Sequence, residues 1–169
     1  LDAIDAEGAG IAGFIAEAMT WTGVVLMTGW LEKFPRLKVA ILESNSSWLP
    51  LVLEKAETYL ELYRHTGEKI GDPREVFYKS CYIAFESDEE MTFRLWDLFE
   101  NIALWSSDMP HLDASDVWEA IDHMNKWKVP QEVQEKMLGG NARRLYGIEP
   151  RLIVTRAPDE YEPVTMSRY

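Results

Sequence analysis

The sequence predicts an α/β fold built on a parallel sheet, and three observations carry that expectation. Three short apolar runs, Leu37 to Leu42, Cys81 to Phe85 and Ala103 to Trp105, are separated by segments of helical composition. Val39-Ala-Ile-Leu42 is continuously apolar rather than alternating, which suits a strand buried on both faces of a parallel sheet. Each run is closed by an acidic residue, Glu43, Glu86 and Asp108 respectively. Parallel α/β proteins present their ligand-facing groups at the carboxyl ends of strands, so three carboxylates are expected on one rim. Such a rim calls for a cation or for proton transfer.

The elements follow in order. Residues 10–33 are expected to be helical, ending before Phe34-Pro35, because proline disfavours helix at the residue that precedes it. Arg36 to Ser44 forms the first strand. Ser47-Trp-Leu-Pro50 opens a second helix over Leu51 to Arg64, and His65 to Arg74, with Gly67, Gly71 and Pro73, reads as a loop. The second strand is Tyr82 to Phe85. Ser87 with Glu90 matches a capping box for a helix running to about Glu100. Ile102 to Trp105 is the third strand, Ser115 to Met124 a helix, and Pro130 begins the last helix, which stops at Gly139-Gly140 with further turns over Asn141 to Tyr146. Residues 1–148 thus form one α/β unit and 149–169, with three prolines, an extended tail.

Composition narrows the function. The 169 residues are 47% hydrophobic and 12% aromatic, enough for a core, and the formal net charge is −12. That charge argues against a nucleic-acid backbone or an anionic membrane surface as partner. The run Gly10 to Leu31 has only Glu17 as a charge, yet its four glycines, three threonines and missing basic flank point to a helix packed among protein elements. Asp2, Asp5 and Glu7 without a basic segment give no secretory signal, and the single cysteine, Cys81, fits a reducing, cytoplasmic setting.

Three strands are fewer than the roughly five or six of an ordinary open sheet. The remainder is expected from an N-terminal part of a longer polypeptide or from another chain. Four segments carry a resemblance that bears on this: Phe34-Pro-Arg-Leu-Lys-Val-Ala-Ile-Leu-Glu43, Trp48-Leu-Pro50, Leu104-Trp-Ser-Ser-Asp-Met-Pro-His111 and Lys136-Met-Leu-Gly-Gly-Asn-Ala-Arg-Arg-Leu-Tyr-Gly147. In this order they resemble the C-terminal half of the amidohydrolase-2 family, the group that includes aminocarboxymuconate-semialdehyde decarboxylase. The resemblance implies a (β/α)8 barrel with one divalent metal, of which this chain would hold about strands 6–8. It also implies that Asp108, at the end of the eighth strand, is a metal ligand, and that the histidines completing the site come from the first and fifth strands, before residue 1. Many members carry a histidine at the end of the sixth strand where this chain has Glu43, and the glycine-rich turn that follows it is Ser44-Asn-Ser-Ser47 here.

Each candidate residue has two roles open to it. Asp108 is a metal ligand or a loop-bracing cap. Glu43 is a general base or a salt-bridged rim residue. His111 meets substrate or stands behind the ligands. Trp48 and Trp105 line a pocket for an apolar or aromatic substrate or pack the core. Glu86 is weaker, since Ser87 to Glu90 is an acidic helix start that suits the helix dipole. His65 and His123 read as surface residues, Cys81 as inert, and Gly139-Gly140-Asn141 as a helix stop lacking the lysine of a phosphate loop. The expectation is a metal-dependent hydrolase or decarboxylase of a small organic acid or cyclic compound, with zinc the default ion and manganese or iron also suited. Its partners would be that small molecule and either a second copy of the chain or the N-terminal half of the barrel. The rival expectation is a non-catalytic partial barrel that serves assembly.

Overall fold

The computed structural model describes residues 3–64, 70–111 and 114–149. In chain order the elements are α1 (Ala3–Met27), α2 (Trp30–Lys33), β1 (Val39–Ile41), α3 (Leu49–Tyr63), α4 (Pro73–Ser80), β2 (Cys81–Phe85), α5 (Glu90–Arg94), α6 (Trp96–Phe99), β3 (Ala103–Trp105), α7 (Val117–Lys126), α8 (Gln131–Glu135) and α9 (Asn141–Tyr146). The three strands form one sheet in the order β1-β2-β3, and both pairings are parallel. The expected α/β class and the three strands are therefore present: β1 is shorter than its apolar run, and β2 and β3 span theirs.

Register sorts the sheet into two faces. Ile41 pairs with Ile83 and Ile83 with Ala103, and all three belong to the helix-covered core with Phe77, Phe85, Phe93, Phe99, Met124 and Met137. Side chains alternate along a strand, so Ala40 beside Tyr82 and Ala84 beside Leu104 occupy the other face. On the helix side α1 packs on α3, α4 on β2, and the turn before α9 on β3. The first helix breaks at Gly29, whose φ of 65° lies in the left-handed region that glycine enters without a Cβ penalty. Val25 and Leu26 of α1 are buried, whereas Phe14, Trp21 and Val24 remain exposed beside β1, an edge strand of the sheet among the described residues. Among the described residues no helix is long and apolar enough to cross a membrane.

Three local expectations are corrected. Residues 73–80 are helical, so the helix takes in Pro73 and Arg74 of the expected loop and fills the stretch before β2: Asp72 caps the start by accepting from the Glu75 amide at 3.0 Å, and Pro73 occupies the first turn. The Ser87–Glu90 capping box does not form. The Ser87 hydroxyl donates instead to the Asp116 carbonyl at 2.9 Å, and the helix begins after Glu89 and is interrupted at Leu95. Gly139-Gly140 is not a stop, because neither glycine takes positive φ. The chain passes through Lys136–Gly140 as one wide π-type turn and ends at Gly147, φ 64°. A Cβ on Gly140 would lie 3.2 Å from the Glu135 carbonyl oxygen, so glycine lets this turn close on itself. His65 and all of the expected tail except Glu149 lie outside the described residues.

Burial pushes the Cys81 thiol up from an ordinary 9.0 to about 12, with Lys38 opposing the shift. Cys81 is expected to resist Ellman's reagent at pH 8 in the native protein and to react on denaturation; rapid native labelling would contradict this placement. The sign of the linkage follows. The folded thiol stays neutral where the unfolded one ionises, so its stabilisation is complete below pH 9 and is lost between about pH 9 and 12. Thermal midpoints of wild type and Cys81→Ala should therefore converge across that window.

Candidate functional site

Because the strands are parallel, their carboxyl ends and the loops that follow share one side of the sheet. The loop after β1 turns sharply: Glu43 has φ 60° and Asn45 φ 55°. The loop after β3 does the same at Asp108, φ 52°. Non-glycine residues take such angles seldom, asparagine and aspartate most readily, and each instance has to be imposed by its surroundings. For Asp108 the surroundings include its own amide, which donates to Ser106 Oγ at 3.4 Å, and the Ser115 amide, which donates to the Ser107 carbonyl at 3.0 Å.

These turns bring Glu43, Asp108 and His111 together, with one ligand atom from each within 4.8 Å of the others. His111 Nδ1 lies 2.9 Å from Asp108 Oδ2, and the Asp108 side chain is only 14% exposed against 61% for His111. The His111 amide also donates to the Asp108 carbonyl at 2.9 Å, closing the loop into a tight turn. Glu86 lines the same small depression with Glu43, Ser44, Asn45, Ala84, Phe85, Ser106 and Asp108, but it is not part of the three-residue cluster. Two carboxylates and one imidazole are a donor set that accepts a borderline or hard divalent cation.

The tryptophans hold the loops. Trp48 is buried in the core and its indole N–H reaches the carbonyls of Ser44 at 2.8 Å and Asn45 at 3.0 Å. Trp105 is half-buried and donates to Ser87 Oγ at 3.1 Å. Ser87 Oγ also accepts from Ser115 Oγ at 2.8 Å, so one buried hydroxyl joins the loops after β2 and β3 to the start of α7. His123, expected at the surface, is instead half-buried, with Nδ1 2.6 Å from the Ser87 carbonyl and its ring against Phe93.

Sequence reasoning passed over Glu89. It is buried, and its two oxygens accept from the Ser46, Ser47 and Glu86 amides and from the side chains of Asn45, Ser46, Ser47 and Thr92. The one signal available was the donor-rich turn Ser44-Asn-Ser-Ser47, which needs an acceptor when it is buried.

The class these features define is an α/β protein whose parallel sheet presents a carboxylate and imidazole cluster at the carboxyl ends of its strands. Comparison with known proteins gives the family: the amidohydrolase-2 family model (amidohydrolase) matches residues 4–148, and the chain belongs to that family. Among solved structures it is similar to 5-carboxyvanillate decarboxylase from Sphingomonas paucimobilis, at 21% identity and TM-score 0.62, covering 77% of this chain and 39% of that one. An amidohydrolase from Mycobacterium avium subsp. paratuberculosis K-10 matches at 17% identity and TM-score 0.60, over 73% of this chain and 32% of that one. A dihydroxybenzoic acid decarboxylase from Polaromonas sp. JS666, with bound manganese and 2-nitroresorcinol, matches at 17% and TM-score 0.52, over 79% and 39%. At these identities the likeness is one of fold, and the chain spans less than two fifths of the length of each. No curated protein matches the sequence.

Proposed function

We propose that this chain forms about strands 6–8 of a (β/α)8 barrel in a metal-dependent hydrolase or decarboxylase acting on a small organic acid or cyclic compound. The observation that carries this is the Glu43, Asp108 and His111 cluster on the strand-end rim of an amidohydrolase-2 chain. Asp108 and Glu43 would hold the ion, with remaining ligands from strands outside this chain. A bound divalent ion supplies Lewis-acid polarisation and a water of lowered pKa. His111 orients the Asp108 carboxylate through Nδ1, and Glu43, exposed at the mouth, would approach the ion from the open side of the rim. Two of the similar structures are decarboxylases of carboxylated aromatic acids by title, and such acids are the first substrates to assay. Zinc is the default ion; the manganese in one of those structures makes manganese the first alternative. The Cys81 thiol, buried and unpaired, suits a reducing cytoplasm. Metal analysis of the complete protein tests the proposal. About one ion per barrel, activity lost to a chelator and restored by zinc or manganese are expected; a metal-free protein indifferent to chelators would overturn it.

A second reading rests on the edge of β1. Beside it lies a groove of about 850 Å³ lined by Phe14, Trp21, Val24 and Leu42, an apolar surface next to a strand that is at the sheet edge among the described residues. A partial barrel assembling through this edge, with a second copy or with the N-terminal half of the barrel, needs no catalysis. Both readings give one expectation: residues 1–169 by themselves associate and hold no metal tightly. Sedimentation with metal analysis checks it. A monomer of 169 residues carrying one tightly bound ion would refute it.

A further inference from the structure

We propose that Glu89 is a positioning residue whose buried carboxylate sets the loop bearing Glu43, and through it the placement of Glu43 against Asp108; the ligand-binding part of this rests on the function proposed above. Glu89 is 7% exposed. Its Oε2 accepts from the Ser46 amide at 2.8 Å, Ser46 Oγ at 2.8 Å, the Ser47 amide at 3.1 Å, Ser47 Oγ at 3.1 Å and Thr92 Oγ1 at 3.1 Å. Its Oε1 accepts from the Glu86 amide at 2.9 Å and Asn45 Nδ2 at 3.4 Å. The hydroxyls also meet one another, with Ser46 Oγ 2.7 Å and Ser47 Oγ 3.2 Å from Thr92 Oγ1, so their protons are shared while the three backbone N–H groups are fixed. Burying a carboxylate is costly, and charge-assisted bonds from several donors offset the cost.

The placement matters more than the number of bonds. Ser46 stands three residues after Glu43, and Glu89 three residues after Glu86. One side chain therefore joins the loops that follow β1 and β2, each of which carries a rim carboxylate. The Glu43 loop holds two residues at positive φ, a conformation that its surroundings must impose, and the Glu89 clamp supplies fixed anchors beside it. Only a carboxylate fits. Each oxygen faces a backbone N–H, so a glutamine in either orientation would aim its NH2 at one of them.

The test uses the complete protein and two readouts. In metal-free protein, hydrogen exchange of residues 43–48 is expected to rise about tenfold in Glu89→Gln while β2 stays protected. Titration with Mn²⁺ alone is expected to show affinity weakened about tenfold in Glu89→Gln, the size seen when a group behind a metal ligand is removed. That loss should shrink to less than about twofold in a Glu43→Gln background, because the clamp acts through Glu43. Unchanged exchange in the loop overturns the clamp. An equal loss of Mn²⁺ affinity in both backgrounds overturns its action through Glu43. If Glu89→Gln does not fold, Ser46→Ala, which removes one hydroxyl and keeps the amide, is held to the same pattern at smaller amplitude. Asp108→Asn is the control that separates the two claims. If it leaves Mn²⁺ affinity unchanged, the metal site proposed above fails, and the exchange measurement still decides the role of Glu89.

Discussion

Asp108→Asn in the complete protein is expected to abolish metal-dependent activity while leaving the fold intact. A ligand carboxylate should cost more than the roughly 10–100-fold lost when a group behind a ligand is removed. The backbone gives no reason for instability: φ at Asp108 is 52°, and asparagine shares with aspartate an unusual tolerance of that region. Asparagine Oδ1 can also still accept from a protonated His111 Nδ1, which lies 2.9 Å from Asp108 Oδ2 in the native loop. Relief of charge repulsion at the rim should leave stability within about 0.5 kcal/mol of wild type, or slightly above it. Activity at matched metal loading, beside the thermal midpoint, checks both halves. Undiminished turnover would show Asp108 to be a loop brace only.

Asn141→Leu is expected to give the largest loss of stability. Asn141 is fully buried and its Nδ2 donates to two carbonyls, Glu100 at 3.0 Å and Ala103 at 2.8 Å, while its Oδ1 accepts from Arg144 at 3.1 Å. Leucine has the same branched skeleton but is bulkier and has no donor, so the buried Ala103 carbonyl and the part-buried Glu100 carbonyl would both lose this partner. Each such group costs about 1–3 kcal/mol, and a combined loss of about 2–4 kcal/mol corresponds to a midpoint lowered by roughly 5–15 °C. Asn141→Asp keeps the size and turns the donor into an acceptor facing carbonyls, so it should be no milder. Urea denaturation of both variants checks the magnitude. Midpoints within about 0.5 kcal/mol of wild type would mean the carbonyls find other donors.

The parts of this molecule written in the sequence are those with a local cause. Cys81 to Phe85 reads as a buried strand because it is continuously apolar, and it is buried throughout. Val39 to Leu42 reads the same way, but β1 lies at the sheet edge, half-buried at Val39 and Ala40 and with Leu42 exposed, while the acidic residue after each run placed the rim. Glu43 and Asp108 accordingly lie together at the sheet end, with His111 between loop and solvent. Helix α4 was legible in principle. Asp72, Pro73 and Glu75 are a cap, a first-turn proline and an acidic first turn, but they follow two glycines that punctuate more loudly. Other features had no local signature. Ser87 has the spacing of a cap and is drawn off by Asp116, 29 residues away in sequence. Glu89 reads as a solvated acid until Ser46, 43 residues earlier, is brought against it. Trp48 and Trp105 flank the site in sequence, yet their N–H groups are taken up by the loops themselves.

The wide turn at Lys136–Gly140 acts as a phase shifter. An α-helix advances about 100° per residue, so a turn holding one surplus residue rotates everything after it by about that amount relative to an uninterrupted helix. Val133 before the turn and Met137 within it face the core, and Asn141 after it faces the carbonyls beside β3. A regular helix through the same residues would swing Asn141 away from those carbonyls. The azimuth of one asparagine, set by a turn that Gly140 lets close, thereby anchors the foot of the strand that leads to Asp108.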